Sequence, residues 1–203
     1  MSEQPRAIGP YVLGEQVARD GSGRSYASED PQTGRAVTVK VLRIATGDDP
    51  GAVESFERSV QAASELRHPA ILRLLGHGEA DGRRYLVMEE RPGPDLYRVL
   101  KQRRLGLQQA FRAFRPIAEA VQAAHARGIV QGDLSPRTIS VSDNLSVVKL
   151  TDLGLPREVV ATGGRTLTST AGGTGALHFI APERAVDPLD TDPRADVYST
   201  RSG

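Results

Sequence analysis

Cysteine and tryptophan are absent from this 203-residue chain, and of its 26 basic residues only Lys40, Lys101 and Lys149 are lysines. Without a thiol there is no disulfide framework and no thiolate metal site, a usage that suits a cytosolic protein and leads us to expect a cytoplasmic location. No apolar run approaches the ~20 residues that a membrane helix needs. The N-terminal MSEQPRAIGPYVLG also lacks a basic stretch followed by an apolar one, so neither a membrane segment nor a secretory leader is expected. Charge of one sign is missing as well. With 25% charged residues and a formal net charge of +1, nothing calls for nucleic acid or an anionic surface as partner. His68, His77, His125 and His178 are scattered without metal-ligand spacing and are assigned no metal. Because lysine is scarce, a lysine at a motif position is informative, and Lys40 stands out.

The first ~90 residues read as a small sheet with one helical interruption. Tyr11 to Val17 and Arg24 to Glu29 flank the turn Gly21-Ser22-Gly23, and Asp30-Pro31-Gln32-Thr33-Gly34 turns the chain into Arg35 to Leu42, giving three antiparallel strands. After Asp48-Asp49-Pro50, the apolar positions Val53, Phe56, Val60, Ala63 and Leu66 recur at helical spacing and stop before His68-Pro69. Two further strands, Ile71 to Gly76 and Arg83 to Glu89, are joined through Glu79 to Gly82. The breaker series Arg91-Pro92-Gly93-Pro94 then marks a boundary. The expected division is a tail over 1–10, a sheet lobe over 11–91 and a second lobe over 92–203.

In the second lobe Asp95 is placed to cap a short helix through Gln102. A long helix is predicted from Leu107 to Arg127, with Leu107, Phe111, Phe114, Ala118 and Val121 facing inward, Pro116 inside it and Gly128 at its end. The apolar runs Ile139 to Val141 and Val147 to Leu150 flank Ser142-Asp143-Asn144, the composition of a hairpin turn, and this hairpin holds Asp133 and Asp152 near one cleft. One carboxylate could orient an attacking hydroxyl and the other a metal. From Pro156 to Gly175 the chain is rich in Gly, Thr and Ser without apolar period, the pattern of a mobile loop.

Read in order, the glycine turn, the strand lysine in Val37-Thr38-Val39-Lys40, the helix, Gln131-Gly132-Asp133, Asp152-Leu153-Gly154, Ala181-Pro182-Glu183 and Asp196-Val197-Tyr198-Ser199 resemble a bacterial serine/threonine protein kinase domain of the eukaryotic-like family. The resemblance runs from about Tyr11 to Ser199, and its specificity lies in the ordered series. It implies an α+β, protein-kinase-like two-lobe fold with a small antiparallel-sheet lobe carrying one helix. The other lobe would be mainly helical and C-terminally truncated, with an activation loop over 152–183. It further implies Asp133 and Lys40 as catalytic residues, Gly21, Gly23, Lys40, Glu89 and Arg91 as cofactor-binding positions, Asp152 as the metal ligand, ATP and Mg2+ as cofactors, and a protein as substrate or partner. The plain alternatives are an edge-strand solubilising lysine and a pair of turn-forming acids.

The chain departs from the family pattern at several of these positions. The three glycine-loop positions read Ala18, Asp20 and Gly23, and Asp20 places a carboxylate near where phosphates should sit. The glutamate expected to pair Lys40 is Ser59, while Glu57 lies about 200° round the helix from it. The adenine slot reads Ser25, Thr38 and Ser140, hydroxyls in place of apolar contacts worth roughly 25 cal/mol per Å2. Thr138 replaces the asparagine of the second metal, Ser135 a lysine, and Gly132 an arginine that binds a phosphorylated activation loop. That leaves the clamp for Thr162, Thr166, Thr168, Ser169 or Thr170 absent. Ala176 stands where a threonine arranges the catalytic acid, with Thr174 two residues away. The expected truncation after Ser199 would leave apolar faces of the long helix and hairpin without cover. Three readings stay open: a degraded kinase fold that binds nucleotide weakly or not at all and acts through protein contacts, a working serine/threonine kinase that transfers the γ-phosphate of ATP to protein hydroxyls, and a nonfunctional remnant.

Overall fold

Alternating side chains in the first ninety or so residues of the chain build a five-stranded antiparallel sheet with one face toward a helix and the other toward an N-terminal hairpin. The computed structural model describes residues 7–20, 22–45, 50–132, 134–154, 161–162, 165–166, 179–186 and 192–201. The hairpin is β1 (Ala7–Ile8) with β2 (Tyr11–Val12), followed by β3 (Gln16–Arg19), β4 (Gly23–Glu29) and β5 (Ala36–Ala45). The helix α1 (Pro50–Glu65) precedes β6 (Leu74–Ala80) and β7 (Arg83–Glu89), and the sheet order is β3-β4-β5-β7-β6. Along β5, Val37, Val39 and Val41 pack with Tyr26, Tyr85, Val87 and Ile8 on one face. Ile8 thus belongs to the sheet core, although the sequence reading puts residues 1–10 in a tail. On the other face Leu42, Leu86 and Met88 meet Phe56, Val60 and Ala63 of α1, three of the five positions read as its buried stripe.

Two boundaries differ from the sequence reading for a visible reason. The strand expected at Ile71 begins only at Leu74, because residues 70–72 leave the sheet and bond instead to the second lobe: Leu150 N donates to Ala70 O at 2.7 Å and Leu72 N to Leu150 O at 2.8 Å. The same strand, read as ending at Gly76, runs on to Ala80, because the turn needs only Asp81-Gly82, both with positive φ of 53° and 67°, the geometry that suits a tight antiparallel hairpin.

The second lobe contains α2 (Leu96–Gln102), α3 (Leu107–His125), the hairpin β8 (Ile139–Val141) with β9 (Val148–Leu150), the small hairpin β10 (Ala161–Thr162) with β11 (Arg165–Thr166), α4 (Pro182–Val186) and α5 (Arg194–Arg201). Asp95 caps α2, its Oδ1 accepting from Arg98 N at 2.8 Å. The paired β10 and β11 lie inside the stretch read as a mobile loop. The face of α3 also departs from expectation: Ala113, Ile117, Ala120, Val121 and Ala124 are buried against the β8–β9 hairpin and Leu134, whereas Leu107, Phe111, Phe114 and Ala118 lie exposed. Alanines permit close approach of helix and hairpin, and that contact decides which face turns in. Among the described residues no helix is long and apolar enough to cross a membrane.

Candidate active site

Lys40 sits on the α1-facing side of β5, directly opposite Ser25 of β4 and Leu86 of β7, and is buried at 1% exposure. Its Nζ donates to Asp20 Oδ2 at 2.6 Å and to Asp152 Oδ1 at 2.7 Å, so one ammonium ties the β3–β4 turn to the second lobe. Asp20 is presented by its own turn. Its Oδ1 accepts from Ser22 N at 2.8 Å, Gly23 N at 3.0 Å and the Ser22 hydroxyl at 2.6 Å, which leaves Oδ2 aimed at the lysine. Gly23 permits this turn because a Cβ there would stand 2.3 Å from Val41 O on β5. Asp152 follows β9 in the left-handed region at φ 60°, a conformation Asp tolerates better than most side chains.

Burial alone would push the Lys40 ammonium down, but Asp152 and Asp20 more than offset it and hold Lys40 above the ordinary lysine value. For Asp20 burial likewise raises, yet the Lys40 charge and hydrogen bonds lower it below the usual carboxylate range.

Helper groups around this corner are committed elsewhere. Glu57 is turned to β6, its Oε2 3.5 Å from His77 Nε2. Thr138 Oγ1 donates to Ser135 O at 3.0 Å and accepts from Ser135 N at 3.1 Å. The Thr151 hydroxyl lies 3.0 Å from Asp152 Oδ2 and 3.2 Å from Thr138 O, and can donate to one at a time. The three hydroxyls of the expected adenine slot, Ser25, Thr38 and Ser140, are all buried. Thr38 Oγ1 accepts from Arg91 N at 3.2 Å, and Ser140 Oγ donates to Gly93 O at 2.7 Å.

Of the residues singled out from the sequence, Lys40 and Asp152 come together, with Gly23 at the foot of the turn that holds Asp20. Glu89 instead bridges the lobes, its Oε1 accepting from Lys149 Nζ at 2.7 Å and from Arg73 N at 3.0 Å. Asp133 and Gly21 lie outside the described residues, as do Thr168, Ser169, Thr170, Thr174 and Ala176. Thr162 and Thr166 fall in the β10–β11 hairpin.

Two relationships escaped sequence reasoning. Asp196 of α5, fully buried, accepts from Gln131 N at 2.9 Å and Gly132 N at 2.6 Å, and its Oδ2 lies 2.7 Å from His125 Nε2. It thereby fixes the backbone just before Asp133. Gly132, with φ 65°, faces Arg184: a Cβ would stand 2.8 Å from Arg184 Nη1. The guanidinium of α4 therefore fills space beside the position where the resemblance puts an arginine. Side chains more than fifty residues away in sequence leave no local signal.

Several groups that the resemblance assigns to ATP with Mg2+ are engaged within the protein. Lys40 already carries two carboxylates, one oxygen of Asp152 is turned to that lysine, and the Thr138 hydroxyl is engaged by its own turn. Among the described residues no three His, Cys, Asp or Glu side chains form a metal-holding group.

A family model described as the protein kinase domain matches residues 11–201. The chain is 36% identical over 197 residues to serine/threonine-protein kinase PknA of Mycobacterium tuberculosis strain H37Rv, covering 94% of this chain and 44% of that protein. It is 34% identical over 204 residues to a probable serine/threonine-protein kinase of Streptomyces coelicolor, covering 98% and 30%. The chain thus spans less than half the length of these relatives. The crystal structure of the PknI kinase domain of M. tuberculosis aligns with a TM-score of 0.72 over 96% of this chain and 70% of that one, at 22% identity, a likeness of fold.

Proposed function

The chain belongs to the protein kinase domain family, and from that premise we propose that it is a kinase-fold protein whose nucleotide cleft is occupied by its own carboxylate, so that ATP binds weakly or not at all and the protein works through protein contacts. The observation that carries this reading is Lys40 held between Asp20 and Asp152. A polyphosphate reaching that lysine must displace Asp20 or bring like charge against two carboxylates in a partly water-excluded corner. The hydroxyls at Thr38 and Ser140 add to this, since each is already bonded within the protein and offers little apolar surface to a purine ring. Calorimetry and thermal shift with MgATP test it. No saturable binding in the micromolar range is expected, and a stabilisation that Asp152→Ala abolishes would overturn the proposal.

A second reading, an active serine/threonine kinase, is favoured by one feature: Lys40 and Asp152 lie 2.7 Å apart across the lobes, so the strand lysine and the second acid are kept in company. Transfer of labelled phosphate to itself or to a general protein substrate, lost in both Asp133→Asn and Lys40→Met, would establish it.

A further inference from the structure

The net charge of +1 conceals an uneven distribution of charge along the chain. Residues 96–118 carry Arg98, Lys101, Arg103, Arg104, Arg112 and Arg115 and not one acid, which leaves the rest of the chain with more acids than bases. At one place this basic run is built into a corner. Tyr97 of α2 faces the short 3-10 turn Pro136–Thr138, and two cations lie over its ring, Arg137 Cζ at 3.7 Å and Lys101 Nζ at 5.0 Å from the centroid. Cation–π contacts of this kind position charge without neutralising it. Among the described residues neither side chain pairs with a carboxylate, and neither is enclosed: Lys101 is exposed, while Tyr97 and Arg137 are half-buried.

The corner is held from behind. Ser140 Oγ donates to Gly93 O at 2.7 Å and Val141 N to Pro94 O at 3.0 Å, which ties the strand after the turn to the chain entering α2. Asp95 is turned inward: its Oδ1 caps α2, its side chain is 12% exposed, and its Oδ2 stays 3.7 Å from Arg98 Nε, beyond hydrogen-bond reach. Arg98 itself is 56% exposed. Three cations thus border the opening, and the carboxylate beside them is already engaged. The contact with Tyr97 spends none of the N–H donors of Arg137 on a hydrogen bond, so the guanidinium keeps the fork that a planar carboxylate matches. Because Arg137 lies half-buried in a corner, an extended peptide reaches it and a flat lipid surface does not.

We propose that this corner docks an acidic segment of a partner protein, with Asp or Glu carboxylates of an extended chain seated on the guanidinium of Arg137 and on Lys101. It supplies the partner class for the protein contacts proposed above and in that sense rests on that reading. MgATP is titrated in one experiment and peptide in the other, so each can fail alone. The probe is a fluorescein-labelled Gly-Glu repeat peptide of about ten residues, with the Gly-Gln repeat as neutral isostere, followed by anisotropy with the intact chain. Saturable binding of the Gly-Glu peptide is expected, weakening as salt rises and falling about fivefold or more in Arg137→Gln and in Lys101→Gln. Arg137→Lys keeps the charge without the fork and is expected to weaken binding about threefold. Arg35→Gln, at an exposed position of the sheet lobe, is expected to leave it unchanged. Lys101 lies on the surface, so Lys101→Gln keeps the test open should Arg137→Gln unfold. Equal binding of the two peptides, wild-type affinity in Lys101→Gln or in folded Arg137→Gln, or an equal loss in Arg35→Gln each overturns the proposal. Tighter binding of phosphatidylglycerol vesicles or of a single-stranded oligonucleotide, lost in the same variants, also overturns it and assigns the corner to that ligand.

Discussion

Asp20 and Lys40 stand 20 residues apart in sequence and 2.6 Å apart in the cleft. The contact arises from local chemistry, since the Asp20 turn spends one carboxylate oxygen on Ser22 and Gly23 and leaves the other facing the lysine. Asp20→Asn keeps an acceptor for the turn and removes the charge. It is expected to raise MgATP affinity by about tenfold or more relative to the wild type, read by calorimetry, as a like charge near the phosphates disappears. An unchanged affinity would mean that Asp20 is not what keeps nucleotide out.

The same pair makes stability depend on pH at both ends. Folded Asp20 titrates below its ordinary 3.8, so its contribution is present above that value and is lost as pH falls through the folded value. Folded Lys40 titrates above its ordinary 10.5, so its contribution is present below that value and is lost as pH rises through the folded one. Urea unfolding from pH 7 downward should therefore find Asp20→Asn losing less stability than the wild type once the pH passes below 3.8. Parallel acid slopes would remove the pair from the account.

Lys40→Met removes a buried cation and leaves Asp20 and Asp152 facing each other in a partly buried corner. Loss of one partner from a fully buried pair costs about 3–5 kcal/mol, and the partial exposure of both acids puts this corner at about 3 kcal/mol. Denaturant unfolding of Lys40→Met should display a loss of that size, partly recovered in the double variant with Asp20→Asn because one uncompensated charge is gone. A single variant within about 0.5 kcal/mol of wild type would place this lysine among weakly coupled surface charges.

Much of the architecture was legible because it follows from short-range rules. The strands from Gly23 to Glu29 and Arg83 to Glu89, the α1 stripe at Phe56, Val60 and Ala63, the Asp95 cap and the β8–β9 hairpin all come from alternation, helical spacing or turn residues acting locally. The site was half legible. Lys40 and Asp152 were named, and Asp20 was placed near the phosphate position, but its bond to Lys40 depends on how the β3–β4 turn lies over β5. Arg184 beside Gly132 is a product of long-range packing, invisible to any window of sequence.

The inner face of α3 failed for a sharper reason. The helix carries two apolar faces about 100° apart, one of large residues at Leu107, Phe111 and Phe114, the other of alanines with Ile117 and Val121. Weighting by side-chain size selects the first, whereas close packing on the hairpin selects the second. Leu107→Gln and Phe111→Gln, at 77% and 69% exposure, should change stability by no more than about 0.5 kcal/mol. Ala120→Leu, at a fully buried position, should cost about 1–3 kcal/mol through overpacking. The reverse order in chemical denaturation would restore the face read from sequence.

Gly132 and Arg184 supply the final test, since they separate backbone strain from steric exclusion. Any side chain at 132 must adopt φ near 65° and must also push against a buried guanidinium. Gly132→Ala is expected to destabilise by about 1–3 kcal/mol, with the strained backbone and the collision both contributing. Arg184→Ala removes the collision and leaves the strain, so in the Arg184→Ala background the added cost of Gly132→Ala should shrink to about 1 kcal/mol. Strict additivity of the two substitutions in urea unfolding would mean that Arg184 yields freely. An arginine at 132 could then be accommodated, and the space beside Gly132 would be open and not already filled from α4.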